Sequence, residues 1–360
     1  MRRLRLLADA WQRLANKMPE PPKWRAELAY MSSGAVYSLL FRLQHASHAD
    51  AIKRTDPKPP VFLLGFWRSG TTLLHELFCC DSRFGFPSTY ACLNPFHFLL
   101  TEHWVNEHAH RHQTRRPMDN MRYSWSSPQE DEFALLALGA PSPYEALLAP
   151  SLLLNPRTLL DVRARPQKEQ ERWAESLLYF QRLLTIQQGK PMMLKSPPHG
   201  FRLSLLPSLF PLARYVIIER NPYEVFASNL KLWRTLVDMY GLEPSSALDL
   251  ETFVLSAYVI HEEAIAEGIA KLPPQSFAKV RYEDLIANPL QQMARVYMEL
   301  NLGDFDAVRG RLEQHLESVK EHARNRFRIS AAQKAKVDSA WGRIIQEKQY
   351  SWDDQYVSLQ

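Results

Sequence analysis

The sequence predicts an α/β fold, a central parallel sheet with helices on both faces, in a three-layer P-loop-like arrangement. Two stretches point there. Residues 61–78, VFLLGFWRSGTTLLHELF, pass from a short apolar strand through a glycine turn into an apolar helix, and residues 215–228 repeat the strand-to-helix passage with charged and hydroxyl residues at its junction. Both put anion-binding groups at the carboxyl end of a strand, where open α/β sheets bind ligands. A chain of 360 residues, 46% hydrophobic and 23% charged, can build one large core with appended helices.

The N-terminal segment, residues 1–56, reads as helical and ends at the punctuation Asp56-Pro57-Lys58-Pro59-Pro60. Leu4, Leu7, Trp11 and Leu14 alternate there with Arg2, Arg3, Arg5, Arg13 and Lys17, and an apolar run from Tyr30 to Leu43 follows. Such a basic amphipathic stripe either packs on the domain or a second subunit, its commoner use, or lies on an anionic membrane surface. A single α/β domain is expected over 57–310, and a helical, basic segment over 311–360.

In the first motif, Val61 to Leu64 form the strand, and Leu73, Leu74, Leu77 and Phe78 recur at helical spacing. Gly65 and Gly70 let the turn bring its backbone N–H groups, with Ser69, Thr71 and Thr72, close to an anion at a helix N-terminus. The spacing fits G-x-x-x-x-G-K-[ST] except that Thr71 occupies the lysine position and the cation has moved to Arg68. That substitution argues against the tail of ATP with Mg²⁺. In the second motif the strand 215–218 ends at Glu219 and Arg220, turns at Asn221-Pro222, and continues as a helix carrying Ser228. Arginine offers a rigid fork to a phosphate, and the serine adds a hydroxyl from the facing helix.

With two anion motifs in one chain, the sequence resembles the sulfotransferases that use 3′-phosphoadenosine 5′-phosphosulfate (PAPS). Their 5′-phosphosulfate loop looks like 65–72 and their 3′-phosphate motif like 220–228. The resemblance covers roughly 61–302 and implies further residues. MLKSPPHGF, from Met193, is similar to the segment whose lysine contacts the transferring sulfuryl group, here Lys195. VRYEDL, from Val280, is similar to the segment whose tyrosine approaches the adenine, here Tyr282. The details resemble the bacterial and protein-tyrosine branch, since the small-phenol branch carries lysine at the Arg68 position and a catalytic histidine where this chain has Pro197. Related enzymes close over the nucleotide with a basic C-terminal segment, which implies a role for Arg326 within the Arg324, Arg326, Arg328 cluster; a solvated basic face is the alternative.

Sulfuryl transfer, like phosphoryl transfer, rests on positioning and charge stabilisation. Arg68 and Lys195 are expected to hold the bridging oxygen, and no metal is implied. The general base stays open. Glu130, Asp131 and Glu132 precede an apolar run, Phe133 to Ala140, whose burial would raise a carboxylate pKa into the useful range. Glu130, nearest the cap, is the first candidate and His199 its rival; His75 and His97 stand lower. The acids could instead simply cap the helix.

A formal charge of +5 suits an anionic nucleotide and is modest for a nucleic-acid binder, and no nucleic-acid motif is present. Cys79, Cys80 and Cys92 make neither a disulfide framework nor a metal set. With no signal-like start and no apolar run of about 20 residues, the expected location is cytoplasmic, with the inner membrane face as the alternative raised by the N-terminal stripe. The aromatic stretch Tyr90, Phe96, Phe98 and Trp104 leans towards a hydrophobic, lipid-like hydroxyl acceptor. Two other functions remain: a P-loop kinase using ATP and Mg²⁺, and an inactive nucleotide-binding or membrane-docking scaffold.

Overall fold

The structure is a computed structural model and describes residues 4–108, 114–115, 122–244, 248–318, 326–354 and 356–359. In chain order its strands are β1 (Val61–Leu64), β2 (Thr114–Arg115), β3 (Arg122–Tyr123), β4 (Met193–Lys195), β5 (Arg214–Glu219), β6 (Phe277–Arg281), β7 (Phe327–Ile329) and β8 (Val357–Leu359). The central sheet is parallel, in the order β4-β1-β5-β6. Leu63 pairs with Lys195 on one side and Val216 on the other, so the chain leaves β1 towards β4 and then returns past it to β5. The end of β1 is therefore a topological switch point, the crevice such sheets use for ligands.

All four β1 residues are buried, as a parallel strand covered on both faces requires. Their alternation divides the core. Phe62, Leu64, Leu194, Tyr215 and Ile217 face one layer of helices. Val61, Leu63, Met193, Val216, Ile218 and Val280 face the other, where they meet Leu74, Leu77 and Phe78 of helix Thr71–Cys79 and Met293, Val296 and Tyr297 of helix Pro289–Leu300. The expected three layers are present.

The N-terminal stripe belongs to this core. On helix Ala8–Ala15, Trp11 is fully buried, stacks on Tyr30 at 4.2 Å between ring centroids, and donates from Nε1 to Glu27 at 2.9 Å. Leu4, Leu7 and Leu14 are buried with it, and the Leu7 N–H bonds the Ala137 carbonyl at 3.1 Å. These residues pack on the domain, so the apolar side of this first helix is not exposed. Gly34 permits the approach, since a Cβ there would lie 2.8 Å from the Ala8 backbone. Arg2 and Arg3 lie outside the described residues. Among the described residues no helix is long and apolar enough to cross a membrane.

The C-terminal segment is bound to the end of β5. Helix Ala331–Glu347 starts from a Ser330/Gln333 capping box and buries Trp341 against Tyr258 and Phe226. Beyond it, Lys348 bridges Glu219 at 2.9 Å and Glu262 at 2.5 Å, and the Asn221 side chain donates to the Ser351 carbonyl at 2.9 Å. Burial alone would raise the Glu262 pKa, but the hydrogen bond from His261 and the charge of Lys348 outweigh it and hold the carboxyl at about 2.

Trp11→Ala should destabilise the protein by about 3 kcal/mol or more through the cavity it leaves, read as a lower denaturant midpoint. Glu262, with a folded pKa below its unfolded value of roughly 4.3, contributes stability that is present above that value and lost as pH falls towards about 2. Lys348→Met should accordingly move the acid-unfolding midpoint upward within that window; an unchanged midpoint would show that the pair does not govern acid stability.

Candidate active site

The loop after β1 is shaped from beneath by its two aromatic residues. Phe66 sits among Trp67, Phe201, Tyr258 and His261, and Trp67 packs on Phe201 and Trp233 while its carbonyl accepts from Asn229 Nδ2 at 2.8 Å. With these anchors set, the turn closes through two left-handed residues, Arg68 at φ 69° and Gly70 at φ 100°. For arginine that conformation costs about 1 kcal/mol or more. Helix Thr71–Cys79 then begins with no side-chain cap at Gly70, so its first-turn N–H groups and the hydroxyls of Thr71 and Thr72 are presented at the dipole's positive end. Ser69 Oγ is buried and has no hydrogen-bond partner among the described residues.

The second motif folds onto the first. Arg68 Nε donates to Ser228 Oγ at 2.9 Å, and Arg220 Nη1 donates to the Arg68 carbonyl at 3.1 Å. Arg220 also holds Glu224 at 2.5 Å and lies 4.2 Å from the centroid of the Tyr282 ring, a cation–π contact. Its Nε is buried without a partner among the described residues. Tyr282 in turn covers Gly70, where a Cβ would meet the ring at 2.3 Å. Arg68, Gly70, Arg220, Ser228 and Tyr282, far apart in sequence, thus form one cluster.

The three acids do not act as helix caps. Asp131 occupies the N-cap of helix Glu132–Ala137 but makes no side-chain cap bond. Each acid instead bonds the end of β4 or the segment just after it. Glu130 Oε1 accepts from Lys195 Nζ at 2.8 Å; Asp131 accepts from Ser196 Oγ at 2.6 Å and pairs with His199 Nε2 at 2.7 Å; Glu132 takes both Arg202 nitrogens at 2.8 and 3.0 Å. Burial alone would raise the Asp131 pKa, yet the charge and hydrogen bond of His199 together with the Ser196 hydroxyl hold it below the usual carboxylate range. Asp131, Glu132 and His199 have no exposed side-chain surface, whereas Glu130 keeps 17%. Only Glu130 of these four reaches the crevice.

The sequence reading did not anticipate Tyr144 or Trp67. The Tyr144 hydroxyl donates to Glu130 Oε2 and accepts from Trp67 Nε1 at 3.1 Å. Burial, and then the Glu130 charge, push this phenol well above its ordinary pKa. Nothing in the apolar stretch around residue 144 signals the contact; Trp67, adjacent to Arg68 in the loop, was the available hint. Of the remaining candidates, His75 is buried on the loop helix, and His97 contacts Thr101, its pKa lowered by burial. Tyr90, Phe96 and Phe98 are buried in the core, so of the aromatic stretch only Trp104 is exposed. Arg326 and Arg328 are exposed beside and on β7, and Arg324 lies outside the described residues.

A model described as "Sulfotransferase family" matches residues 59–306. Two relatives named omega-hydroxy-beta-dihydromenaquinone-9 sulfotransferase Stf3, from Mycobacterium bovis and Mycobacterium tuberculosis, are each 36% identical over 346 residues, covering 95% of this chain and 89% of theirs. Among solved structures, sulfotransferase STF9 from Mycobacterium avium superposes with a TM-score of 0.69 at 16% identity, over 96% of this chain and 93% of its own. Sulfotransferase STF1 from Mycobacterium tuberculosis gives 0.59 at 21%, over 87% and 88%. Those two likenesses show the fold, and the family match and the 36% identical relatives show that this chain belongs to the sulfotransferase family.

Proposed function

We propose that this enzyme moves the sulfuryl group of 3′-phosphoadenosine 5′-phosphosulfate to a hydroxyl of a lipid-like acceptor. The observation that carries the reading is the convergence, at the ends of β1, β4 and β5, of an uncapped helix N-terminus, Lys195 paired with Glu130, and the Arg68–Ser228–Arg220–Tyr282 cluster. The residues fit such a donor: Ser69 Oγ and Arg220 Nε are buried polar atoms lacking partners among the described residues, one at each anion position. The relatives named for a dihydromenaquinone derivative support the acceptor class.

When bound, the donor supplies a sulfuryl group attached to a phosphate leaving group, displaced in line through a loose transition state. The first-turn amides of helix Thr71–Cys79 with Ser69, Gly70, Thr71 and Thr72 hold the 5′-phosphate, and Arg220 with Ser228 holds the 3′-phosphate beside the Tyr282 ring. Arg326 is assigned to the same 3′ side. Lys195 and Arg68 neutralise charge on the leaving oxygen. Glu130 accepts the proton of the acceptor hydroxyl at Oε1, the oxygen Lys195 holds, while Tyr144 fixes Oε2. His199, sealed against Asp131, positions the segment after β4 and exchanges no proton with substrate. Thr71 in place of the P-loop lysine disfavours the ATP-using alternative.

Glu130→Gln should lower kcat by roughly 100-fold or more while affinity for adenosine 3′,5′-bisphosphate, measured by calorimetry, is retained. An unchanged kcat would remove the base role from Glu130. Tight nucleotide binding by the parent protein without turnover on any lipid-like alcohol would favour the scaffold reading. Arg220→Ala should weaken binding of the bisphosphate by about 2 kcal/mol or more and affect a nucleotide lacking the 3′-phosphate much less; equal losses would end its 3′ assignment.

A further inference from the structure

Helix Trp24–Ser47 is apolar on both faces: Met31, Tyr37, Leu40 and Phe41 pack inward on the core, and further apolar residues point outward. The face centred on Tyr30, Gly34 and Gln44 is buried: Tyr30 stacks on Trp11, Gly34 admits Ala8, Tyr37 stacks on Phe96 at 5.0 Å, and Gln44 donates to the Pro95 carbonyl and accepts from the Leu99 N–H, each at 2.9 Å. These contacts fix the helix's rotation. On the opposite side Trp24, Leu28, Val36, Leu39 and Leu43 are 70, 62, 56, 59 and 52% exposed. At 3.6 residues per turn they share an arc of about 120°. A soluble surface helix turns its polar residues outward; this one also turns Trp24, Val36 and three of its leucines outward, and an apolar patch of that kind marks an interaction surface.

The charges around the patch identify what covers it. Arg25 and Arg42 are exposed within the same arc and Lys23 is exposed at its start, while the acid of this helix, Glu27, lies on the inner side and accepts from Trp11 Nε1. Apolar side chains flanked by cations and led by a tryptophan match an anionic lipid surface, where the apolar face enters the headgroup boundary and the cations meet the lipid charge. A second copy of the chain fits less well, because self-pairing of these helices would set Arg25 and Arg42 against the same cations.

We propose that the outer face of helix Trp24–Ser47 is a docking surface for an anionic lipid bilayer, on which the enzyme lies without spanning it. The purpose of such docking rests on the reading of a lipid-like acceptor, but the docking is measured without acceptor or donor.

The test is co-sedimentation of the full chain with vesicles of phosphatidylcholine alone and of equal parts phosphatidylcholine and phosphatidylglycerol. The parent protein is expected to sediment with the anionic vesicles, less so at high salt. Leu28→Glu combined with Leu39→Glu should weaken partitioning by about tenfold or more, with adenosine 3′,5′-bisphosphate affinity unchanged as the check that the fold survives. Parent protein left in the supernatant with both vesicle types, or a variant that sediments as well as the parent, overturns the proposal. So does light scattering that finds a dimer which the double variant converts to monomer, since that assigns the face to a second copy. Vesicle binding by a protein that transfers no sulfate would instead defeat the functional reading and leave the docking intact.

Discussion

The site depends on one clasp, in which Glu130, Asp131 and Glu132 bond Lys195, Ser196 with His199, and Arg202 in turn. Buried ion pairs add little net stability, because desolvation offsets much of their attraction. Their effect here is on register. A slip of one residue between the two segments would leave charges buried and unpaired, at about 3–5 kcal/mol for each broken pair. The Glu132 N–H, donating to Ser196 Oγ at 3.0 Å, secures the same alignment through the backbone. The clasp thereby sets Glu130 at the mouth of the crevice and holds Asp131 and Glu132 beneath it.

The nucleotide side is organised by strand order. Because β1 lies between β4 and β5, the loop after β1 has Lys195 on one flank and Arg220 on the other. The strained backbone of Arg68 is retained because Phe66 and Trp67, on its N-terminal side, are locked into aromatic contacts and Arg220 bonds its carbonyl. These contacts hold the loop in one arrangement before any ligand arrives, the preorganisation that the proposed chemistry calls for. The C-terminal segment extends the support by binding Glu219 and Asn221 on either side of Arg220.

The two N-terminal helices divide the work of burial. Helix Ala8–Ala15 docks on the far end of the helix that begins at Glu132: Leu7 bonds Ala137, and Arg13 donates to the Gly139 carbonyl at 3.4 Å. Leu7 and Arg13 therefore fix that helix at its C-terminal end, away from the acids. Helix Trp24–Ser47 packs Leu40, Tyr30, Tyr37 and Phe41 inward and leaves Leu28, Leu39 and Leu43 outward. Both stretches read alike as apolar with interspersed cations, and only their neighbours separate them.

The fold of the two strand-to-helix motifs was legible from local sequence. Strand, loop and helix over 61–78 follow from periodicity and glycine, and the uncapped N–H groups at the turn follow from the glycine at its end, all within a few residues. The passage from 215 to 228 was legible for the same reason. What residues 130–132 and 199 do was not, since a carboxylate at a helix start reads identically whether it caps, pairs or reacts. Their partners lie some 65 to 70 positions away. Only the packed structure separated Glu130, on the crevice with Tyr144 and Lys195, from Asp131, Glu132 and His199, enclosed behind it. Local pattern specifies which chemistry a segment can offer, whereas burial and long-range pairing decide which of several equivalent side chains keeps an exposed, reactive position.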